Sequence, residues 1–284
     1  MVFEKPERFK ELNLKNQQHI SSIILFSFKR AKNILSLINE SLKTSLNVYV
    51  FHDFDTSIEN RELYKQLRKI PEIILISRKE NYGLKKNLFE GINHVANISD
   101  SFIVIEDDLS VKAKDITALS NQIKENINSE VFEVSGFPIS GKSKISYPLE
   151  IPLGTSWFWG TSSNKWNAFY NDFLTKNLMN FKINIFKFDY NFRYPFSYLL
   201  YLEKKGKVSS WAIYKHIYII KHNLKAKYIF AESFNFYKYQ NEFSTHGENN
   251  FNVHNFSKEW KKNLLYMSKN SRVTNLIKYI KTCF

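Results

Sequence analysis

Three carboxylates in a row, Glu106, Asp107 and Asp108, follow the apolar run "FIVI" and precede further apolar positions in "FIVIEDDLSV", residues 102–111. Adjacent carboxylates repel, so three of them at the end of a buried strand are costly unless a cation or hydrogen-bond donors compensate. A divalent metal is a natural compensator. Mg²⁺ and Mn²⁺ prefer oxygen ligands, usually take one or two carboxylates, and complete their shell with water and substrate phosphates. A diphosphate neutralised in this way is a leaving group whose developing charge is stabilised. The plainer alternative is an acidic turn that caps the helix following it.

The segments around the triplet have to place it. "SSIILFSF" at 21–28 reads as a strand, and "KRAKNILSLINESL" brings Ile34, Leu35, Ile38 and Leu42 to helical spacing. The same alternation continues with a strand at 46–54, a helix in "SIENRELYKQLRKI", a strand at 72–77, a helix from about Leu84 to Val95, and a strand at Phe102–Ile105. Alternating elements of this kind predict an α/β fold with a mostly parallel central sheet and helices on both faces, which explains why the strands lack polar alternation. In such sheets ligands bind where the carboxyl ends of the strands converge. Lys29 and Arg30 follow the first strand, Asp53 and Asp55 the second, Arg78 to Asn81 the third, and the triplet the fourth. Lys29, Arg30, Arg78, Lys85 and Lys86 are the basic residues available to a diphosphate.

After residue 130 the pattern loosens into "VFEVSGFPIS", the aromatic "GTSWFWGTSSNKWNAFY", a helical segment near Tyr198–Lys204, and a helix in "SSWAIYKHIYIIKHN". No linker separates the halves. Residues 1–257 therefore read as one domain, with a nucleotide-binding half at about 20–130 and an acceptor half at about 131–257. The segment 258–284 interleaves Trp260, Leu264, Leu265, Val273, Ile277 and Ile280 with Lys and Arg. It is a basic amphipathic tail suited to an anionic bilayer, or equally a terminal helix packed on the body with a solvated basic face.

Composition narrows the partners. The chain has 41 Lys and Arg against 27 Asp and Glu, a formal charge of +14 that would attract nucleic acid, an anionic membrane surface or a phosphorylated substrate. Its one cysteine, Cys283, excludes an intrachain disulfide, and the first 20 residues are charged and lack the apolar core of a secretory signal. The expected setting is cytoplasmic, with peripheral contact at the inner face of the membrane.

The series "SRKENYGLKKNLFEGINHV", "FIVIEDDLSV" and "VFEVSGFPI" resembles the amino-terminal half of bacterial sugar transferases of the GT-A type, relatives of the family 2 glycosyltransferases. Its "EDDL" element is similar to that of the N-acetylglucosaminyltransferase I group. "SWFWGTSSNKW", "SSWAIYKHIYIIKHN" and "FSTHGEN" are similar to later elements of that group, so the resemblance runs in order over roughly residues 20–250. It implies a GT-A (Rossmann-like) fold, a nucleotide-sugar donor and Mn²⁺ or Mg²⁺. Position by position, it implies that Asp108 binds the metal and that Glu106 and Asp107 contact the nucleotide sugar. Asp53 would hold the base or ribose, Lys85 would lie near the donor, and His246 would reach the metal or diphosphate. Ser209 stands where the group has an aspartate before "SWAI", and "STHG" replaces "GTHC". An inverting transferase needs a carboxylate to take the acceptor's proton, and Asp189 and Asp172 are the candidates.

The expected activity is transfer of a sugar from a nucleotide-sugar to a saccharide or lipid-linked acceptor in bacterial surface polysaccharide or lipooligosaccharide synthesis. Two alternatives stand beside it. One is a nucleic-acid-binding module, against which the Lys and Arg are dispersed and the triplet would repel a phosphate backbone. The other is a degenerate GT-A fold that only binds carbohydrate.

Overall fold

The computed structural model describes residues 19–136, 148–176, 178, 184–190, 194–229, 231 and 235–236. The first half alternates as expected: β1 (Ser21–Ser27), α1 (Ala31–Leu42), β2 (Asn47–His52), α2 (Ile58–Leu67), β3 (Ile74–Ser77), α3 (Gly83–Ala96) and β4 (Ser101–Glu106). There follow β5 (Leu109–Ser110), α4 (Ala113–Glu125), β6 (Val131–Ser135), β7 (Leu149–Ile151), β8 (Trp159–Ser162) and α5 (Ser163–Leu174). The described part closes with α6 (Ile185–Phe188), α7 (Phe196–Lys204), α8 (Ala212–Lys221), β9 (Lys225–Tyr228) and β10 (Asn235–Phe236).

Eight strands form one sheet in the order β3-β2-β1-β4-β8-β6-β9-β7. β3, β2, β1 and β4 are mutually parallel. β8 lies antiparallel between β4 and β6, so β6 and its parallel neighbour β9 again point the way of β4, and only β8 and β7 are reversed. This is the α/β architecture expected from the sequence, a mostly parallel central sheet with helices on both faces. Side chains alternate across the sheet. Ile23, Leu25, Ile103 and Ile105 pack under α1, α2 and α4, while Ile24, Phe26, Phe102 and Val104 pack against α3, α5, α6, α7 and α8. Both faces of β1 and β4 are therefore covered, which is why their sequences are continuously apolar.

The reversed β8 matters most for the site. Trp159 pairs with Val104 and Ser162 with Ser101, so the chain entering β8 arrives beside the carboxyl end of β4. Gly160 makes that approach possible: a Cβ there would meet the Phe102 carbonyl oxygen and Ile123 Cδ1 at 2.4 Å each. Just before it, Phe158 holds a positive φ of 41°, unusual for a bulky residue.

Two details depart from the sequence reading. The second strand ends at His52 rather than Phe54: the Asp53 amide makes the last ladder bond, to the Ser27 carbonyl, and the Phe54 amide turns to Asp53 Oδ1 instead of a neighbouring strand. The region after 130 also supplies four strands to the sheet, β6 to β9, where the pattern suggested mainly helices. β7, β8 and β9 are only 3–4 residues long, too short to show a period. His246 and the 258–284 tail lie outside the described residues.

Candidate functional site

β1, β2, β3 and β4 deliver their carboxyl ends to one edge, and the triplet occupies the centre of it. The three carboxylates differ sharply in surroundings. Asp107 is 7% exposed and turns toward α1: Arg30 Nη1 donates to its Oδ1 at 2.5 Å, the Phe28 amide to its Oδ2 at 3.2 Å, and Asn33 Nδ2 to its carbonyl at 2.9 Å. Burial raises its pKa and Arg30 opposes the rise. Asp107 is thus the internal anchor of the turn.

Asp108 is the opposite case. Its Oδ1 is buried and has no hydrogen-bond partner among the described residues, and burial followed by the neighbouring Asp107 charge lifts the carboxyl from 3.8 to about 6. Glu106 ends β4, and the alternation of the strand sends its side chain to the face of Phe102 and Val104, toward α8. Among the described residues no hydrogen bond or ion pair holds its carboxylate. Burial, then Asp108, then Asp107 push its pKa well above the ordinary value, while Arg30 and Lys215 pull against them. The capping alternative does not apply: the residue before α4 is Lys112, which makes no side-chain cap, and the Ala113 amide is taken by Glu40 Oε2 at 3.1 Å.

Beneath Glu106 lies a charged pair that sequence reasoning missed. Lys215, 1% exposed, sits 2.5 Å from Glu133 Oε2, donates to the Thr155 carbonyl at 2.5 Å, and places its ammonium 3.5 Å from the Trp159 ring centroid. Glu133 Oε1 accepts from the Thr155 amide at 2.6 Å. Both backbone groups of Thr155 are therefore clamped, which pins the turn that enters β8 against the end of β4. Burial lowers Lys215 to about 8 and raises Glu133. The signal was present, a Glu inside "VFEVS" and a Lys inside "AIYKHIYII", but neither position announces its partner.

The basic residues expected to face a diphosphate are mostly engaged within the protein. Lys29 pairs with Asp55 at 2.9 Å, and Arg78 Nε donates to Asn87 Oδ1 at 2.8 Å. Lys86 lies 3.7 Å from the Tyr82 ring centroid. Lys85 is ion-paired to Glu203, whose other oxygen accepts from the Ser210 amide at 2.6 Å, so it ties α3 to the entrance of α8. Arg30 alone of the five contacts the triplet in the described residues. Asp53, 4% exposed, accepts from the Tyr82 amide at 2.8 Å and so joins the loops after β2 and β3 at the same edge.

The two candidate bases, Asp189 and Asp172, also have partners within the protein. Asp189 is 0% exposed and receives the Ser197 amide at 2.7 Å and the Ser197 hydroxyl at 2.6 Å, holding the first turn of α7. Asp172, on α5, pairs with Lys221 at 3.0 Å and His222 at 2.9 Å near the far end of α8, away from the triplet. Both carboxylates serve helix packing.

A divalent cation fits what the triplet offers. Among the described residues no group of three or more His, Cys, Asp or Glu is arranged to hold a metal. Mg²⁺ or Mn²⁺ needs only one or two carboxylates when phosphates and water complete the shell. The partnerless Asp108 Oδ1 and the unheld Glu106 are carboxylates of that kind, whereas Asp107 is already spent on Arg30 and the Phe28 amide.

No protein-family model matches the chain, and no curated protein matches it. Solved structures do show similarity. A crystal structure of S. aureus TarS 1-349 is 11% identical with a TM-score of 0.45, over 76% of this chain and 59% of that one. A nucleotide-diphospho-sugar transferase from Desulfovibrio desulfuricans G20 is 7% identical with a TM-score of 0.42, over 75% of this chain and 80% of that one. A 4-diphosphocytidyl-2C-methyl-D-erythritol synthase from Anaerococcus prevotii DSM 20548 is 10% identical with a TM-score of 0.43, over 85% and 96%. The chain spans about three fifths of the length of the S. aureus structure. Likenesses of this size decide no activity, and the chemistry has to be argued from the site itself.

Proposed function

We propose that the chain is a metal-dependent glycosyltransferase that moves a sugar from a nucleotide-sugar donor to a saccharide or lipid-linked acceptor, in the building of a bacterial surface polysaccharide or lipooligosaccharide. The observation that supports this reading is the Asp108 carboxylate oxygen, buried without a partner beside an unheld Glu106, at the carboxyl edge of a Rossmann-like sheet. A protein does not keep such a group for stability.

In this reading Asp108 and Glu106 are the residues that would hold Mn²⁺ or Mg²⁺, with His246 the proposed third contributor. The ion, when bound, would neutralise the diphosphate as it departs. The chain's own residues do the rest. Arg30 and the Phe28 amide fix Asp107, so that the turn presents Asp108 at the edge and not into the core. Asp53 holds together the two loops where a base and ribose would lie. The Glu133–Lys215 clamp holds the Thr155 turn, and with it Trp159, against the β4 end, forming the wall on the acceptor side.

The test is a thermal-shift measurement with uridine diphosphate and Mn²⁺. A stabilisation that needs both components and vanishes in Asp108→Ala supports the reading, while one that persists in that variant refutes the metal role of Asp108. Release or transfer of sugar from a panel of nucleotide-sugars then separates an enzyme from a fold that only binds carbohydrate.

A further inference from the structure

The face formed by α6 and α7 has a composition that neither the sheet edge nor its chemistry explains. The two helices bury one side each on α8: the rings of Phe188 and Phe196 lie 4.9 and 4.4 Å from the His216 ring. Their other sides turn away from α8 and are apolar as well as charged. Ile185, Phe186 and Tyr201 are 48%, 51% and 52% exposed. Lys187, Lys204, Lys205 and Lys207 are exposed among them, with Lys205 Nζ 5.9 Å from the Tyr201 ring centroid.

The acids of this stretch are hidden. Between Phe173 and Lys207 the described carboxylates are Asp189, 0% exposed, and Glu203, whose side chain is 5% exposed and paired with Lys85. Every exposed charge in the described part of the stretch is therefore a lysine. A solvated protein surface ordinarily mixes signs. Exposed aromatic and aliphatic side chains in a stretch whose described exposed charges are all lysines match the boundary of an anionic bilayer, where the rings enter the headgroup layer and the ammoniums meet lipid phosphates. We infer that the outer face of α6 and α7, with Ile185, Phe186 and Tyr201 as the inserting residues and Lys187, Lys204, Lys205 and Lys207 as the phosphate contacts, docks this protein on an anionic lipid surface.

The location gives the docking a use. Glu203 is bound to Lys85 in the first turn of α3, at the edge where the strands end, so the Lys204–Lys207 turn that follows it sits at the same edge as the triplet. A bilayer touching that turn lies beside the mouth of the candidate site. The inference holds whether or not the site transfers sugar.

The experiment is flotation of the full chain with vesicles of phosphatidylcholine alone or with phosphatidylglycerol added. Binding is expected only to the anionic vesicles, and it should weaken with salt. The triple substitution Lys204→Glu, Lys205→Glu, Lys207→Glu should lower the partition coefficient about tenfold or more. Ile185→Ser, which keeps every charge, should lower it severalfold and leave the melting temperature unchanged. The inference is overturned if the wild type ignores anionic vesicles, or if both variants bind as the wild type does, which would assign binding to another part of the chain. Tighter binding to single-stranded RNA than to the anionic vesicles, weakened by the same lysine substitutions, would overturn it in favour of a nucleic-acid surface.

Discussion

Glu133, on β6, and Asp108, in the turn after β4, are two carboxylates with opposite surroundings. Glu133 sits at the middle of β6 with a lysine and a backbone amide on its two oxygens, whereas Asp108 has a buried oxygen with no hydrogen-bond partner among the described residues. The first is a charge the fold has answered for itself. The second is a charge left for something else to answer, and that difference is what separates a structural ion pair from a binding site here.

The comparison breaks most forcefully at its structural end. Lys215→Met leaves Glu133 buried and uncompensated and should cost about 3–5 kcal/mol, read as the shift of the denaturation midpoint. Adding Glu133→Gln should recover most of that loss, because a neutral pair in the same space is tolerated. If the single and double variants are equally unstable, the pair is not what holds the Thr155 turn.

His216, beside Lys215 on α8, tests how strongly this interior resists charge. Burial holds it at about 4, below its ordinary 6.5, so between those values the unfolded chain binds a proton that the folded one refuses. Stability should therefore fall as pH drops from about 6.5 to about 4, by about 3 kcal/mol for this group. His216→Gln should flatten that limb of a stability–pH curve.

Asp108 should respond with the reverse sign. Its folded value of about 6 lies above the ordinary 3.8, so the folded state favours the protonated form and loses stability as pH rises through that window. Asp108→Asn should therefore stabilise the protein by about 2 kcal/mol at pH 7–8 and by nothing at pH 3, while abolishing the shift with uridine diphosphate and Mn²⁺. A destabilised Asp108→Asn would place this carboxylate with Glu133, as a structural group. The smallest effect belongs to Asp172→Asn: loss of a partly exposed pair with Lys221 and His222 should cost less than about 1 kcal/mol and leave nucleotide binding unchanged.

Part of this was legible in the sequence. Local patterns announced β1 to β4 and α1 to α3, because continuous apolar runs alternate there with helical spacing, and the order of those elements placed Arg30, Asp53 and the triplet at one edge. The same reasoning could not see β7, β8 and β9, which are too short to repeat a pattern and exist because neighbouring strands supply their hydrogen bonds. Nor could it tell which charges were already answered. The partners of Asp189, Asp172 and Lys85 were invisible, because a sequence lists ionisable groups without their partners.

By itself, then, the chain's order of residues determined the α/β class, the four parallel strands and the gathering of charge at their ends, since each depends on hydrophobic period and connection length. Only the tertiary structure decided that Asp107 is bound to Arg30, that Glu133 is bound to Lys215, 82 positions further along the chain, and that Asp108 Oδ1 is left open among the described residues. The reason is physical: whether a buried charge is compensated depends on atoms within a few ångströms in space, and those atoms come from segments that no local pattern connects.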